Sequence, residues 1–127
     1  MMHYDVRGSG PIDLMLLHGM GSSDTWRPLL SCLDYDRVRA VTCDLRGHGR
    51  SEGGAERYTY PQLNADLLAI ADAAGMESFV LVGFSGSCKN AVWFACRAAR
   101  ARPRTCACCA AGSRCRAVAT RNPCLFF

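Results

Sequence analysis

A serine stands at a candidate turn in the second half of the chain. An apolar run, residues 79–82, is followed by Gly-Phe-Ser-Gly-Ser over residues 83–87 and then by a segment with alanines and aromatic residues. This order predicts a strand, a sharp turn and a helix, with Ser85 at the apex of the turn. A hydroxyl at that place lies beside the N–H groups of a helix N-terminus, where developing negative charge is stabilised. Ser85 is therefore the candidate nucleophile.

Two known patterns overlap at this turn. In the G-x-S-x-G pattern of α/β-hydrolases, small residues flank the serine at two positions because the helix and the strand approach closely there. Here those residues are Gly83 and Ser87, so the last glycine is replaced. The turn also comes near the phosphate-binding pattern G-x-x-x-x-G-K-[ST], but Cys88 stands at its second glycine and Asn90 at its magnesium-binding hydroxyl. The turn alone leaves both interpretations open.

A second candidate segment follows an earlier apolar run. Residues 12–17 predict a strand, which ends in His-Gly-Met-Gly over residues 18–21. A tight loop of this kind leaves backbone N–H groups pointing outward from the end of the strand. In α/β-hydrolases the N–H just after His-Gly is one half of the oxyanion hole, and Met20 is the matching residue here.

The most specific string follows the next predicted strand. Residues 44–51 read Asp-Leu-Arg-Gly-His-Gly-Arg-Ser. This string resembles, nearly residue for residue, the loop that esterase-like and lactonase-like α/β-hydrolases carry at this point. Its glycines allow a compact turn that Asp44 and Arg46 can hold by charge-assisted hydrogen bonds. With all three segments in the family's order, the resemblance to the α/β-hydrolase superfamily covers residues 4 to about 95.

The resemblance implies a reaction and the residues that perform it. Ser85 would attack the carbonyl carbon of a carboxylic ester, a lactone or a similar small molecule, and the N–H groups of Met20 and Gly86 would hold the oxyanion. A serine argues against the haloalkane dehalogenase and epoxide hydrolase branches, whose nucleophile is an aspartate. No metal ion or organic cofactor is implied. The residues that would shape the site are His18, Gly19, Gly83 and Ser87.

The order of the predicted elements argues for an α/β fold, namely a partial doubly wound, mostly parallel sheet of the α/β-hydrolase type. Such a sheet needs further strands after the serine turn, so we expect its C-terminal half to be missing and the edge beyond the serine strand to be open. Strands are expected at residues 2–6, 12–17, 38–43 and 79–82, and helices from an Asp24 N-cap to about Leu33 and from Tyr60 to a stop at Gly75.

The composition changes after residue 95. Residues 1–77 hold seven arginines against eleven acidic residues, a net charge of −4, whereas residues 78–127 hold eight basic residues and no acidic one. Seven of the nine cysteines lie at or after Cys88. We therefore expect two regions: the N-terminal part of a hydrolase domain over residues 1–95, and an irregular tail over residues 96–127.

The tail has several candidate explanations. Its cysteines lack the paired spacing of zinc or iron–sulfur sites, and an odd count with no secretory signal disfavours a disulfide framework. A basic nucleic-acid arm is seldom so rich in cysteine. A one-base shift of the reading frame across residues 101–107 permits Arg-Ala-Pro-Glu-Arg-Val-Arg and then apolar residues, which resembles what α/β-hydrolases carry after the helix behind the nucleophile. We therefore expect the tail to be translated out of frame.

The catalytic set is incomplete after Ser85. A serine hydrolase of this fold uses a histidine as general base and an acid to orient it, in chain order Ser, acid, His. No Asp, Glu or His follows Glu77, and the three histidines are His3, His18 and His48. A serine without a base is a weak nucleophile at neutral pH, so we expect this chain to hydrolyse little. A non-catalytic interaction module on the same fold is the competing class, with a phosphate-loop nucleotide binder behind it.

Partners and location follow from what the sequence lacks. No run is long and apolar enough to cross a membrane, and nothing marks export, so the cytoplasm is the expected location. We expect a small ester-like substrate as partner, with no nucleic acid and no membrane. The sequence carries no indication of the oligomeric state.

Overall fold

The fold is known from a computed structural model. It describes residues 2–53 and 58–98 and, for the backbone, residues 106–110 and 116–118. The strands are β1 Tyr4–Arg7, β2 Ile12–Leu17, β3 Val38–Cys43, β4 Val80–Phe84, β5 Cys106–Ala110 and β6 Arg116–Val118. The helical elements are a 3-10 turn at Ser23–Trp26, α1 Arg27–Leu30, α2 Tyr60–Ala73 and α3 Ser87–Ala98.

The strands form one six-stranded sheet in the order β1-β3-β2-β4-β5-β6. The four central strands are parallel, and β1 and β6 pair antiparallel at the two sides. Leu17, at the end of β2, is level with Cys43 on β3 and with Gly83 on β4. Because the carboxyl ends of these three strands are level, all three candidate loops emerge at the same edge of the sheet.

The sheet has apolar residues on both faces, as a doubly wound fold requires. Along β2, Met15 and Leu17 belong to the larger core cluster, with residues of α2 and α3, whereas Leu16 packs in a second cluster with Trp26 and Leu30. Successive side chains of a strand point to opposite faces, so β2 contributes to both clusters. The predicted α/β class is therefore confirmed.

Helix α2 follows its sequence pattern closely. The Thr59 hydroxyl accepts a hydrogen bond from the N–H of Gln62 at 3.3 Å and caps the first turn. Gly75, with φ +66°, follows the last turn and allows the chain to leave the helix. The buried residues are Leu63, Leu67, Ile70 and Ala71, so the predicted amphipathic helix is confirmed. None of the described helices has the length and apolar character that crossing a membrane requires.

Two boundaries near the N-terminus differ from the prediction. Ser22, not Asp24, caps the first helical turn, because its hydroxyl accepts the N–H of Asp24, whose carboxylate pairs with Arg27 at 3.0 Å. The α-helical part ends at Leu30 rather than near Leu33. The Tyr35 hydroxyl donates to the Leu30 carbonyl at 2.7 Å and satisfies a carbonyl that a longer helix would use itself.

The first strand also starts later than residue 2. β3 ends at Cys43, which pairs with Tyr4, and beyond that pair the carbonyl of His3 accepts the N–H of Asp44 at 3.0 Å.

The region after residue 95 is more regular than the sequence indicated. Helix α3 continues to Ala98, and β5 and β6 follow in a segment where we expected no period. β5 pairs in parallel with β4, from Val80 opposite Cys106 to Phe84 opposite Ala110. The expectation of an open edge at β4 is therefore wrong. Ladder hydrogen bonds are made by the backbone, so a strand can pair there without an apolar side-chain period.

Candidate active site

Ser85 occupies the turn between β4 and α3 in a rare backbone conformation. Its φ is +53°, and it is the one residue other than glycine with a positive φ in the part of the chain that the structure describes. This left-handed conformation costs a residue with a side chain about 1–2 kcal/mol. The residue is exposed at the edge of the sheet. Strained conformations of this kind cluster at functional sites.

The strand and the helix meet closely on either side of this serine. A Cβ on Gly83 would lie 2.4 Å from the carbonyl oxygen of Ser87, so only glycine fits there. The N–H of Cys88 donates to the carbonyl of Ser85 at 3.0 Å and closes the turn. A side chain at Gly86 would meet no such obstacle, since a Cβ there would have no neighbour within 4 Å among the residues that the structure describes.

The loop after β2 touches the serine turn. A Cβ on Gly19 would lie 2.8 Å from the Cβ and 3.4 Å from the Oγ of Ser85. Met20, the next residue, is 92% exposed, so it contributes its backbone rather than a packed side chain. Neither the N–H of Met20 nor that of Gly86 has a hydrogen-bond partner among the described residues. The structure therefore brings together Gly19, Met20, Gly83, Ser85 and Gly86.

His18 lies fully buried at the end of β2, with both ring nitrogens in use. The N–H of Leu45 donates to Nε2 at 2.9 Å, so Nε2 is the unprotonated nitrogen and Nδ1 carries the hydrogen. Nδ1–H then donates to the carbonyl oxygen of Gly19 at 2.9 Å. Burial, together with the nearby His48 ring, lowers the pKa of His18 below its usual 6.5 despite the opposing Gly19 bond. This ring has no free nitrogen to accept a proton from a nucleophile.

Ser87 is the first residue of α3 and is 2% exposed. Its hydroxyl donates to the carbonyl oxygen of His18, and the side-chain amide of Asn90 lies 3.5 Å from the same Oγ. In the sequence pattern Ser87 is only a small residue at the position of a glycine. The contact with His18 joins residues 69 positions apart, and no local pattern signals it.

Asp44 holds the loop that follows β3. The side chain is 1% exposed and accepts hydrogen bonds from the N–H of Ser23 at 2.7 Å and from the N–H of Arg50 at 3.0 Å. Burial by itself raises the pKa of Asp44, but these N–H groups and the Arg50 guanidinium outweigh burial and hold the pKa well below its usual range. The predicted role of Asp44 is confirmed. Arg46 instead ties the loop to α2, through two hydrogen bonds of 3.0 and 2.6 Å to Asp66.

A charged cleft of about 750 Å³ lies away from this site, between β1, the 3-10 turn and α1. Two of its arginines are already paired: Arg27 with Asp24, and Arg50 with Asp5 and Asp44. Ser85 does not line the cleft. Among the described side chains, no three His, Cys, Asp or Glu residues are grouped to hold a metal ion.

Comparison with known proteins gives the family. A family model described as alpha/beta hydrolase fold matches residues 14–124. The chain is similar to an epoxide hydrolase of Caballeronia sordidicola, with 35% identity over 85 residues that cover 65% of this chain and 26% of that protein. It is also similar to 3-oxoadipate enol-lactonase 1 of Acinetobacter baylyi, with 37% identity over 76 residues that cover 60% of this chain and 26% of that protein.

Solved structures agree with this result. An epoxide hydrolase from Vigna radiata matches with a TM-score of 0.75 and 26% identity, over 85% of this chain and 35% of that one. A marine microorganism esterase matches with a TM-score of 0.71 and 28% identity, over 82% of this chain and 38% of that one. The chain spans about a quarter to a third of the length of the curated relatives it matches. The chain belongs to the alpha/beta hydrolase fold family.

Proposed function

We propose that this chain carries the nucleophile and the oxyanion hole of a serine hydrolase for a carboxylic ester, a lactone or a similar carbonyl compound. The observation that carries the proposal is the conformation of Ser85. Its left-handed backbone projects an exposed hydroxyl from the end of β4, next to Gly19 of the loop after β2. A structural serine in a loop gains nothing from this strain, whereas a nucleophile gains access to a substrate carbonyl.

The chemistry then follows from the groups around the serine. The Ser85 oxygen attacks the carbonyl carbon, the hydroxyl proton passes to a base, and the carbonyl oxygen becomes an oxyanion. The N–H groups of Met20 and Gly86, which have no partner among the described residues, donate to that oxyanion. Loss of the leaving alcohol gives an acyl-serine, which water hydrolyses. Serine at this position supports an acyl-transfer reaction more than epoxide opening.

The base is the missing part of this mechanism. No Asp, Glu or His follows Glu77 in the sequence, and both nitrogens of the buried His18 are engaged. We therefore expect the chain by itself to turn over ester slowly. A small diffusible base can take the place of the absent histidine if the nucleophile and the oxyanion hole are already formed.

The experiment adds imidazole to the purified chain together with p-nitrophenyl acetate. A positioned base contributes about 10²–10⁴ to rate, and a diffusible base should recover part of this. We expect imidazole to accelerate acetylation of Ser85 by about tenfold, measured by mass spectrometry of the peptide that carries it.

Two variants separate enzymatic acetylation from background. Ser85→Ala removes the nucleophile, and Ser31→Ala removes an exposed hydroxyl that directly follows α1 and donates to the carbonyl of Pro28. Acetyl transfer should disappear with the first variant and persist with the second. Equal modification in the wild type and in Ser85→Ala at every imidazole concentration would overturn the proposal. So would conversion of styrene oxide in place of the ester.

We propose further that the codons are read out of frame from a point after Ser85 and across residues 101–107, which accounts for the absent acid and base. β5 lies beside β4 over Cys106–Ala110, and the genetic code permits mostly apolar residues over the same codons in the shifted frame. A parallel strand buried between neighbours is ordinarily a run of apolar residues, which supports this reading. Sequencing the gene downstream of the Ser85 codon tests it. A shifted frame that stops at once, with no later Asp and His, would overturn it.

A further inference from the structure

The ring of His18 anchors the peptide group between Gly19 and Met20. Its carbonyl oxygen, on Gly19, accepts the Nδ1–H of His18 at 2.9 Å. Its N–H, on Met20, is the group that we place in the oxyanion hole. A peptide group is planar, so whatever fixes the direction of the carbonyl also fixes the direction of the N–H.

The His18 ring is itself fixed in one orientation. The N–H of Leu45 donates to Nε2 at 2.9 Å from the loop that follows β3. This bond decides the tautomer, because an Nε2–H would face the N–H of Leu45. A hydrogen bond accepted by one end of a peptide group also polarises the group and strengthens the N–H at the other end as a donor. His18 therefore affects both the direction and the strength of the Met20 N–H.

Ser87 holds the preceding peptide group. Its hydroxyl donates to the carbonyl oxygen of His18, and the residue is 2% exposed, so water does not compete for this bond. The glycine of the G-x-S-x-G pattern has no hydroxyl and cannot make it. Because Ser87 begins the helix directly after the serine turn, the bond links the loop of Met20 to the same turn that carries Ser85.

We propose that His18 and Ser87 are positioning residues that together orient the Gly19–Met20 peptide for oxyanion binding. The proposal rests on the proposed function in one respect, since it takes Met20 as an oxyanion donor. The contacts of His18 and Ser87 define a loop in which the carbonyls of His18 and Gly19 are both anchored, while the N–H of Met20 has no partner within the described part of the chain.

Two pairs of variants of the full chain test this arrangement. Ser87→Ala removes the hydroxyl, and Ser87→Thr retains it. His18→Gln keeps an acceptor near Nε2 for Leu45 but loses the donor to Gly19, whereas His18→Asn keeps a donor near Nδ1. If His18 has only a structural role, the glutamine variant should keep the Met20 amide more ordered than the asparagine variant does. If His18 positions the peptide, the asparagine variant should keep it more ordered.

The first measurement does not depend on activity. The order parameter of the Met20 amide, from ¹⁵N relaxation, should be about 0.85 in the wild type and fall to about 0.6 or below in Ser87→Ala and His18→Gln. It should stay high in Ser87→Thr and His18→Asn. The amide of Leu67, buried in α2, reports whether each variant is folded. An unchanged Met20 amide in the folded Ser87→Ala variant would overturn the proposal, and so would a greater loss in His18→Asn than in His18→Gln.

The second measurement is the imidazole-assisted acetylation of Ser85. We expect the maximal rate to fall about tenfold in Ser87→Ala and His18→Gln, short of the about 10²–10³ that loss of a whole oxyanion donor costs. The ester concentration at half-maximal rate should not change. A wild-type chain that is never acetylated would contradict the proposed function alone, and the order of the Met20 amide would still decide the role of His18 and Ser87.

Discussion

Gly19 lies directly against Ser85, with room for no side chain between them. A Cβ on Gly19 would be 2.8 Å from the Ser85 Cβ and 2.9 Å from the carbonyl oxygen of Phe84. Because the second of these atoms belongs to the backbone, the loop after β2 would have to move away to admit a methyl group. The contact sets the distance between the candidate nucleophile and the N–H of Met20.

Gly19→Ala should therefore impair acylation strongly. A displacement of about 1 Å in a catalytic site costs about a hundredfold in rate, and overpacking costs about 1–3 kcal/mol of stability. Acetylation of Ser85 with imidazole measures the first effect, and urea unfolding measures the second. The matched control is Gly53→Ala, because the nearest described atom to a Cβ there, the Cα of Gly47, lies at an ordinary 3.4 Å. Equal stability of the Gly19→Ala and Gly53→Ala variants would show that Gly19 is not packed tightly against Ser85 and Phe84.

The strain at Ser85 should be measurable as stability. Ser85→Ala and Ser85→Gly both remove the hydroxyl, but only glycine adopts φ +53° without cost. We expect the glycine variant to be about 1 kcal/mol more stable than the alanine variant, after allowing for the greater flexibility of glycine in the unfolded chain. Chemical unfolding of both variants provides the measurement. Greater stability of the alanine variant would show that the turn is not strained.

Acid should destabilise the fold through His18. Burial lowers the pKa of this histidine below 6.5, and the neighbouring His48 ring lowers it further. Below pH 6.5 the unfolded chain therefore binds a proton that the folded chain excludes, so the free energy of unfolding falls as pH is lowered. The slope due to one such group is at most about 1.4 kcal/mol per pH unit.

Unfolding of the wild type and of His18→Asn between pH 7 and pH 5 measures this contribution. The variant lacks the titrating group, so its free energy of unfolding should fall less over the same range. Parallel pH profiles of the two proteins would rule out His18 as the cause.

Loss of the buried Asp44 carboxylate should lower the free energy of unfolding more than loss of the exposed Asp5 carboxylate, which pairs with the same Arg50. Asp44→Asn places an amide where the carboxylate accepts the N–H groups of Ser23 and Arg50, so at least one donor loses its acceptor. We expect the free energy of unfolding to fall by about 2–3 kcal/mol. Asp5 also pairs with Arg50 but is 44% exposed, and Asp5→Asn should cost much less.

Urea unfolding at pH 7 compares these two variants, and a larger loss in Asp5→Asn would contradict the assignment. Because hydrogen bonds depress the pKa of Asp44 below its ordinary 3.8, its contribution is complete above that pH and is lost as pH falls towards the folded-state pKa.

The local sequence was sufficient to predict most of the strands and helices. Strands β2 and β3 have the predicted bounds, since each is an apolar run ended by residues that favour turns. The prediction of Asp24 as the cap of the first helical turn was wrong. Ser22 and Asp24 can both cap a helix, and only the path of the chain selects between them. β5 was missed because its pairing depends on the free edge of β4 rather than on an apolar period of its own.

The sequence by itself determined the ingredients of the site: a serine between small residues after a strand, a His-Gly loop and an aspartate-led turn. Each of these is a local pattern, and local patterns follow from backbone conformation and side-chain size. Only the tertiary structure decided how they meet. The level ends of β2, β3 and β4 bring the three loops to one edge, and there Leu45 sets the tautomer of His18 while Ser87 binds its carbonyl. These contacts join residues 27 and 69 positions apart, so they depend on the register of the sheet and not on any neighbouring residue.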